Sequence, residues 1–268
     1  MNRTPILQGK HAVIFGAGGS IGSAVAKEFA AEGAEVFLAG RTKSKVEEVT
    51  EHITKAGGHA HTAVIDALDD DAVNDYLDGI VKQSGNIDIV LNTTGPLAGE
   101  YGNTKLAVDL SIEEFMRAVD TVLKSNFITA RAAARHMAKQ HSGVILFVTG
   151  SPARGHVPGG TAIGAAFRAV ENLTENLAIE VGPLGVRVVC LRTLANTDSR
   201  TIQQTMEFAV EKMNITKEQA VAGIANSNFL KRTASVSDTA RAAVLLVSDN
   251  ACMMTGTVVN ATAGAALD

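Results

Sequence analysis

The chain has 268 residues, 46% hydrophobic and 19% charged, with a formal net charge of −4. This weakly acidic balance argues against a nucleic-acid-binding stripe, no apolar run reaches the roughly 20 residues a bilayer needs, and Met1 to Lys10 lacks an apolar signal segment. Two cysteines, Cys190 and Cys252, neither in a Cys-x-x-Cys pair, exclude a disulfide framework and point to a reducing, cytoplasmic setting with no membrane partner.

His11 to Phe15 reads as a strand that ends in glycines, and Ile21 to Glu32 as a helix with Ile21, Val25 and Phe29 on one face. Strands are then expected at Glu35–Ala39, Ala60–Ile65 and Ile87–Leu91, separated by helices at Lys43–Ala56 and Asp69–Ser84. The continuous apolar run at 87–91 fits a sheet buried on both faces. Ser111 with Glu114 makes a capping box for a long helix through Lys139. Val144–Val148 and Val186–Leu191 read as strands around a helix at Ala165–Val181. Residues 195–234 are polar and partly helical, Ser237–Ser248 closes as a helix, and Thr257–Asn260 is the last strand. Repeated β-α units require right-handed crossovers, so we expect an α/β fold of Rossmann type over 1–268 as one domain. Its seven parallel strands carry helices on both faces, and the ligand crevice lies at their carboxyl ends.

The first turn reads Phe15-Gly16-Ala17-Gly18-Gly19-Ser20-Ile21-Gly22. Glycines let a backbone approach a pyrophosphate, and the helix that follows offers free N–H groups and a positive dipole end. The same residues also suit a plain turn, but here they join a strand to a helix in the first βαβ unit, as dinucleotide binding requires. An acidic residue ending the second strand would hold the ribose 2′-OH of NAD; this chain has Arg41, with Lys43 and Lys45 beyond it. Arg41 can hold a 2′-phosphate bidentately, which favours NADP(H); the alternative is a solvated basic turn. Asp66, followed by Ala67, ends the third strand, where it meets an adenine amine, caps the next helix, or both.

These features resemble the short-chain dehydrogenase/reductase family over nearly the whole chain. The glycine turn is similar to the family's Thr-Gly-x-x-x-Gly-x-Gly, with Phe15 for Thr and Ser20 for the middle Gly. Asn92-Thr93-Thr94-Gly95 looks like its Asn-Asn-Ala-Gly, Ala169 to Thr174 like its long fifth helix, and Thr255 to Asn260 like its closing strand. The resemblance implies the fold, an NAD(P) cofactor touching Gly16, Gly18, Gly19, Ser20, Ile21, Gly22, Asn92, Thr93, Gly95 and Thr149, and a homotetramer or homodimer. Ala-rich helices at 112–139 and 164–181 suit packing across two-fold axes; alternatively they only cover the sheet. Residues 195–234 should cover a small-molecule substrate.

The family's catalytic residues do not follow. Its Tyr-x-x-x-Lys falls on Ile163 and Phe167, its Ser on Gly150 beside Ser151, its Asn on Val122 with Asn126 one turn away, and its Pro-Gly on Thr193-Leu194. The two tyrosines, Tyr76 and Tyr101, are elsewhere. Hydride at carbon must be matched by a proton at oxygen. We therefore look to the loop after the fifth strand, where Ser151 can donate to a carbonyl, His156 can exchange protons near neutral pH, and Arg154 can pair with a carboxylate; each also suits a solvated turn. Arg192 is a further pocket candidate. His59 and His61 share a strand face without an evident acidic partner, so no metal site is expected. Asp69 to Asp71 reads as a charge cluster at a helix start, and Met253 and Met254 as core or subunit packing. Three functions stay open: an NADP(H)-dependent oxidoreductase of altered mechanism acting on an activated C=C, iminium or carbonyl, a non-catalytic NADP(H)-binding relative, and a redox-neutral isomerase or lyase.

Overall fold

The structure is a computed structural model that describes residues 5–155 and 159–268; His156 therefore lies outside the described residues. Seven strands, β1 (His11–Phe15), β2 (Glu35–Gly40), β3 (His59–Val64), β4 (Ile89–Asn92), β5 (Gly143–Gly150), β6 (Val186–Thr193) and β7 (Thr257–Ala261), form one sheet. Their order is β3-β2-β1-β4-β5-β6-β7, and each neighbouring pair runs parallel. The chain order reverses between β1 and β4, whose last residues Phe15 and Asn92 are register partners. Connections leave in opposite directions there, which opens a crevice at the carboxyl ends.

Alternation along the strands assigns each side chain to one face. On β1, Val13 and Phe15 join a core with Leu77, Ile80, Met137 and Val170. Those residues come from α3 (Asp70–Ser84), α5 (Ser125–Gln140) and α6 (Thr161–Val181). Ala12 and Ile14 join the opposite core with Val25, Phe29, Ile53 and Val247, from α1 (Ser20–Ala31), α2 (Lys43–Lys55) and α9 (Val236–Val247). Two lone layers would each leave the sheet half wet; together they explain the uninterrupted apolar strands. Two further helices, α7 (Arg200–Met213) and α8 (Lys217–Asn226), lie in the polar segment before α9.

Several expectations need correction. The single helix through Lys139 is instead α4 (Ile112–Ala118), a π-helical stretch at Val119–Lys124, and α5. The Ser111–Glu114 capping box is present, but the widened turn is joined by side chains bonding back: Asn126 Nδ2 and Ser125 Oγ both donate to the carbonyl of Val122, at 2.8 and 3.3 Å. Such π turns recur at functional sites. The cap of α3 is Asp69, which accepts from Ala72 N at 3.1 Å; Asp66 instead folds an Asx turn with Leu68 N, 3.0 Å away. His61 does have an acidic partner, since parallel pairing of β2 and β3 brings Glu35 Oε1 to 2.6 Å from its Nε2. Among the described residues no helix is long and apolar enough to cross a membrane, and no group of His, Cys, Asp and Glu could hold a metal ion.

Candidate active site

The carboxyl ends of the strands open into a cleft of about 1680 Å³. At one end the backbone leaves β1 through Gly16, at φ +74°, where a Cβ would lie 2.9 Å from the Thr93 backbone. Gly22 is tighter still, with the Gly16 carbonyl 2.4 Å from any added Cβ. Only a bare backbone fits the turn so close to β4 and α1. Gly19 begins α1 with no side-chain cap, and Gly18, Gly19, Ser20, Ile21 and Gly22 all line the cleft. An uncapped helix start beside glycines suits an anion. Ser20 is already engaged: its Oγ accepts from Arg200 N at 3.1 Å, tying α7 to α1.

Arg41 is exposed and lines the same end, with Lys45, Asp66 and Ala67. Lys43 does not line it; its Nζ sits 3.6 Å from Glu47 one helical turn on. Asn92, Thr93, Gly95 and Thr149 also line the cleft, yet their polar groups largely serve the fold. Asn92 Nδ2 donates to Ser125 Oγ at 3.0 Å and its Oδ1 accepts from Thr94 N at 2.8 Å. Thr93 Oγ1 donates to the Phe15 carbonyl at 3.1 Å, closing the switch point. Thr149 Oγ1 turns inward to Glu171, 3.3 Å away.

The other end is mainly apolar. Val122, Ile163 and Phe167 line it, beside Gly150 and Ser151. The aromatic ring of Phe167 fills the space over Gly150. Arg154 is exposed and does not line the cleft; its positive charge is felt instead by Asp268. Arg192, a pocket candidate by sequence, is fully buried elsewhere. Its Nε and Nη2 donate to the two carboxylate oxygens of Glu171 at 2.7 and 3.0 Å, and Nη1 donates to Asp268. This is a bidentate structural pair that binds β6 to α6.

Two further groups, given no role by the sequence reading, line the cleft. Asn126 lines the cleft with a buried Oδ1 that has no partner among the described residues. Tyr101 lines it too, in a short 3₁₀ turn at Ala98–Tyr101, and burial pushes its phenol up to about 12. Lys105 follows Tyr101 by four residues but turns away, its Nζ 2.5 Å from Glu114. Tyr76 is packed edge-on against Phe15 and does not line the cleft.

The sequence model of the short chain dehydrogenases matches residues 10–208. The chain belongs to the short chain dehydrogenase family. The peroxisomal 2,4-dienoyl-CoA reductase of Saccharomyces cerevisiae is 29% identical over 267 residues, covering 96% of this chain and 84% of that protein. Among solved structures, an actinorhodin polyketide ketoreductase with NADPH superposes with a TM-score of 0.85 at 19% identity, over 94% of this chain and 95% of the other. A 7α-hydroxysteroid dehydrogenase complexed with NADH and 7-oxo glycochenodeoxycholic acid gives 0.83 at 25% identity, over 100% and 99%. The dehydrogenase fold therefore includes neighbours holding either nicotinamide cofactor. One wall of the cleft is apolar, formed by Val122, Ile163 and Phe167. Tyr101 was hidden because nothing in local spacing announces that a loop after β4 will turn inward; Asn126 had one signal, its place a turn beyond the expected Asn.

Proposed function

We propose that the chain is an NADP(H)-dependent oxidoreductase of altered mechanism acting on a small-molecule substrate. The observation that carries this reading is the pair Ile163 and Phe167 in the cleft wall, where the family resemblance calls for a proton donor and its lysine. The glycines at 16, 18, 19 and 22 form a cradle that a Cβ would fill, so the residues fit a pyrophosphate, with Ser20 and Ile21 opening α1 above it. Arg41 and Lys45 supply the charge for a 2′-phosphate, Asp66 and Ala67 border the adenine, and Asn92, Thr93, Gly95 and Thr149 support the remaining wall. When bound, the cofactor supplies or accepts hydride.

At the substrate end the chain offers Ser151 and Tyr101 as hydroxyl donors, and His156 by sequence. An iminium carbon already carries the charge that draws hydride, so its reduction needs no acid at the acceptor. An activated C=C needs a proton at carbon that water can deliver, whereas a ketone oxygen needs a placed donor. Substrates of the first two kinds suit this wall best. Residues 195–234 close over that end through α7 and α8. We also read the chain as a homotetramer or homodimer: Ile112, Phe127 and Ile179, on α4, α5 and α6, are 80%, 46% and 76% exposed, while the alanines of α5 cover the sheet. Both cysteines are free, Cys252 exposed, in keeping with a reducing, cytoplasmic compartment.

The test is loss of NADPH fluorescence with a panel of unactivated ketones, enones and cyclic iminium ions. Enones or iminium ions should turn over at least about a hundredfold faster than ketones. Tight NADPH binding with no turnover on the whole panel would instead favour the non-catalytic reading.

A further inference from the structure

The segment that closes the cleft carries an apolar stripe that the protein itself leaves uncovered. On α7, Ile202, Met206, Ala209 and Met213 recur at the spacing of one helix face, and all four line the cleft. Ala220 and Ile224 of α8 face the same space. An amphipathic helix normally buries such a stripe in the core, yet Met206 alone is buried on α7 and no residue is on α8. Several polar side chains along this arm are turned to internal partners. Asn103 Nδ2 donates to Thr205 Oγ1 at 2.7 Å, Gln219 Oε1 accepts from Thr216 N at 2.8 Å, and Ser227 Oγ donates to the Ile224 carbonyl at 2.8 Å. The face of α7 that carries the stripe is hydrocarbon, with the hydrogen-bonded Asn103, Thr205 and Gln219 beside it in the same cleft.

The arm has a direction. It starts where Arg200 N meets Ser20 at the glycine turn and runs about 18 Å along α7, at 1.5 Å per residue. It ends at Lys212, whose Nζ donates to the Thr104 carbonyl at 3.1 Å. Among the described residues Lys212 has no acidic partner, so two of its three N–H donors and its charge stay available.

We propose that the substrate arm takes an elongated apolar molecule bearing an anionic group at the end remote from the reacting carbon, with Lys212 holding that group at the mouth. This rests on the reading of the cleft as an oxidoreductase site. The test is calorimetry on the full chain, with and without saturating NADPH, using hexanoate, octanoate, decanoate and dodecanoate below their micelle concentrations, and decan-1-ol as the neutral control. Affinity should rise about tenfold for each added pair of methylenes. Lys212→Gln should weaken decanoate about tenfold and leave decan-1-ol unchanged, and Ala209→Asn should flatten the chain-length series. Equal affinity for hexanoate and dodecanoate overturns the proposal, and so does decanoate binding undiminished in Lys212→Gln. NADPH binding is followed separately by its fluorescence: if it binds while the carboxylate series is flat, the arm is wrong and the cofactor reading stands; if the series rises without NADPH binding, the reverse holds.

Discussion

Phe167 Cε2 lies 3.1 Å from the point a Cβ on Gly150 would occupy. One residue is on α6 and the other ends β5, and a side chain at 150 would have to push the ring at 167 aside by a few tenths of an ångström. The two positions therefore share one packing environment.

Gly150→Ser should therefore destabilise the protein by about 1–3 kcal/mol through overpacking. In a Phe167→Ala background the same change should cost much less, giving a coupling energy in a double-mutant cycle. Denaturant melts of the four proteins measure it; additive effects would show that the two positions do not interact.

Arg41→Ala should weaken NADPH by about tenfold and leave NADH unchanged, because only the 2′-phosphate offers the guanidinium a second charge-assisted fork. Calorimetry with both cofactors checks this. Equal losses for the two would mean that Arg41 acts on the fold or the adenine rather than on the phosphate.

With its phenol pushed up to about 12 by burial, Tyr101 stays protonated across the range in which enzymes are assayed. Tyr101→Phe should then lower ketone reduction at least about tenfold while sparing iminium reduction, since only the ketone oxygen needs a proton. Ser151→Ala is the parallel test of the other hydroxyl. Ketone rates unchanged in both variants would exclude both residues as donors.

The hydrogen bond from Arg192 holds the Asp268 carboxyl below its ordinary value of 3.8. A depressed folded-state pKa contributes stability that is fully present above the unfolded value and lost as pH falls through the folded one. The acid limb of the stability curve, below about pH 4, should therefore be flatter in Asp268→Asn, with no change in slope near neutral pH. Chemical denaturation from pH 6 to pH 2 reads this directly, and superimposable limbs would refute the assignment.

The order of elements and the glycine turn were legible because they rest on local regularities. Strands buried on both faces must be apolar throughout, helices between them must show a 3.6-residue stripe, and Gly16 and Gly22 stand where no Cβ fits. Ile163 and Phe167, singled out by counting from flanking motifs, both line the cleft. Long-range placement decided the rest. Arg192 reads as a cleft cation until strand pairing sets β6 beside α6 and buries it against Glu171. His61 lacks a partner until β2 brings Glu35 alongside. Tyr101 enters the cleft through a loop whose path no periodicity encodes, and the apolar stripe of α7 emerges only once the helix is placed against the cleft. A sequence determines which face of an element is apolar; only the packing of distant elements determines what that face, or a charge beside it, is left to meet.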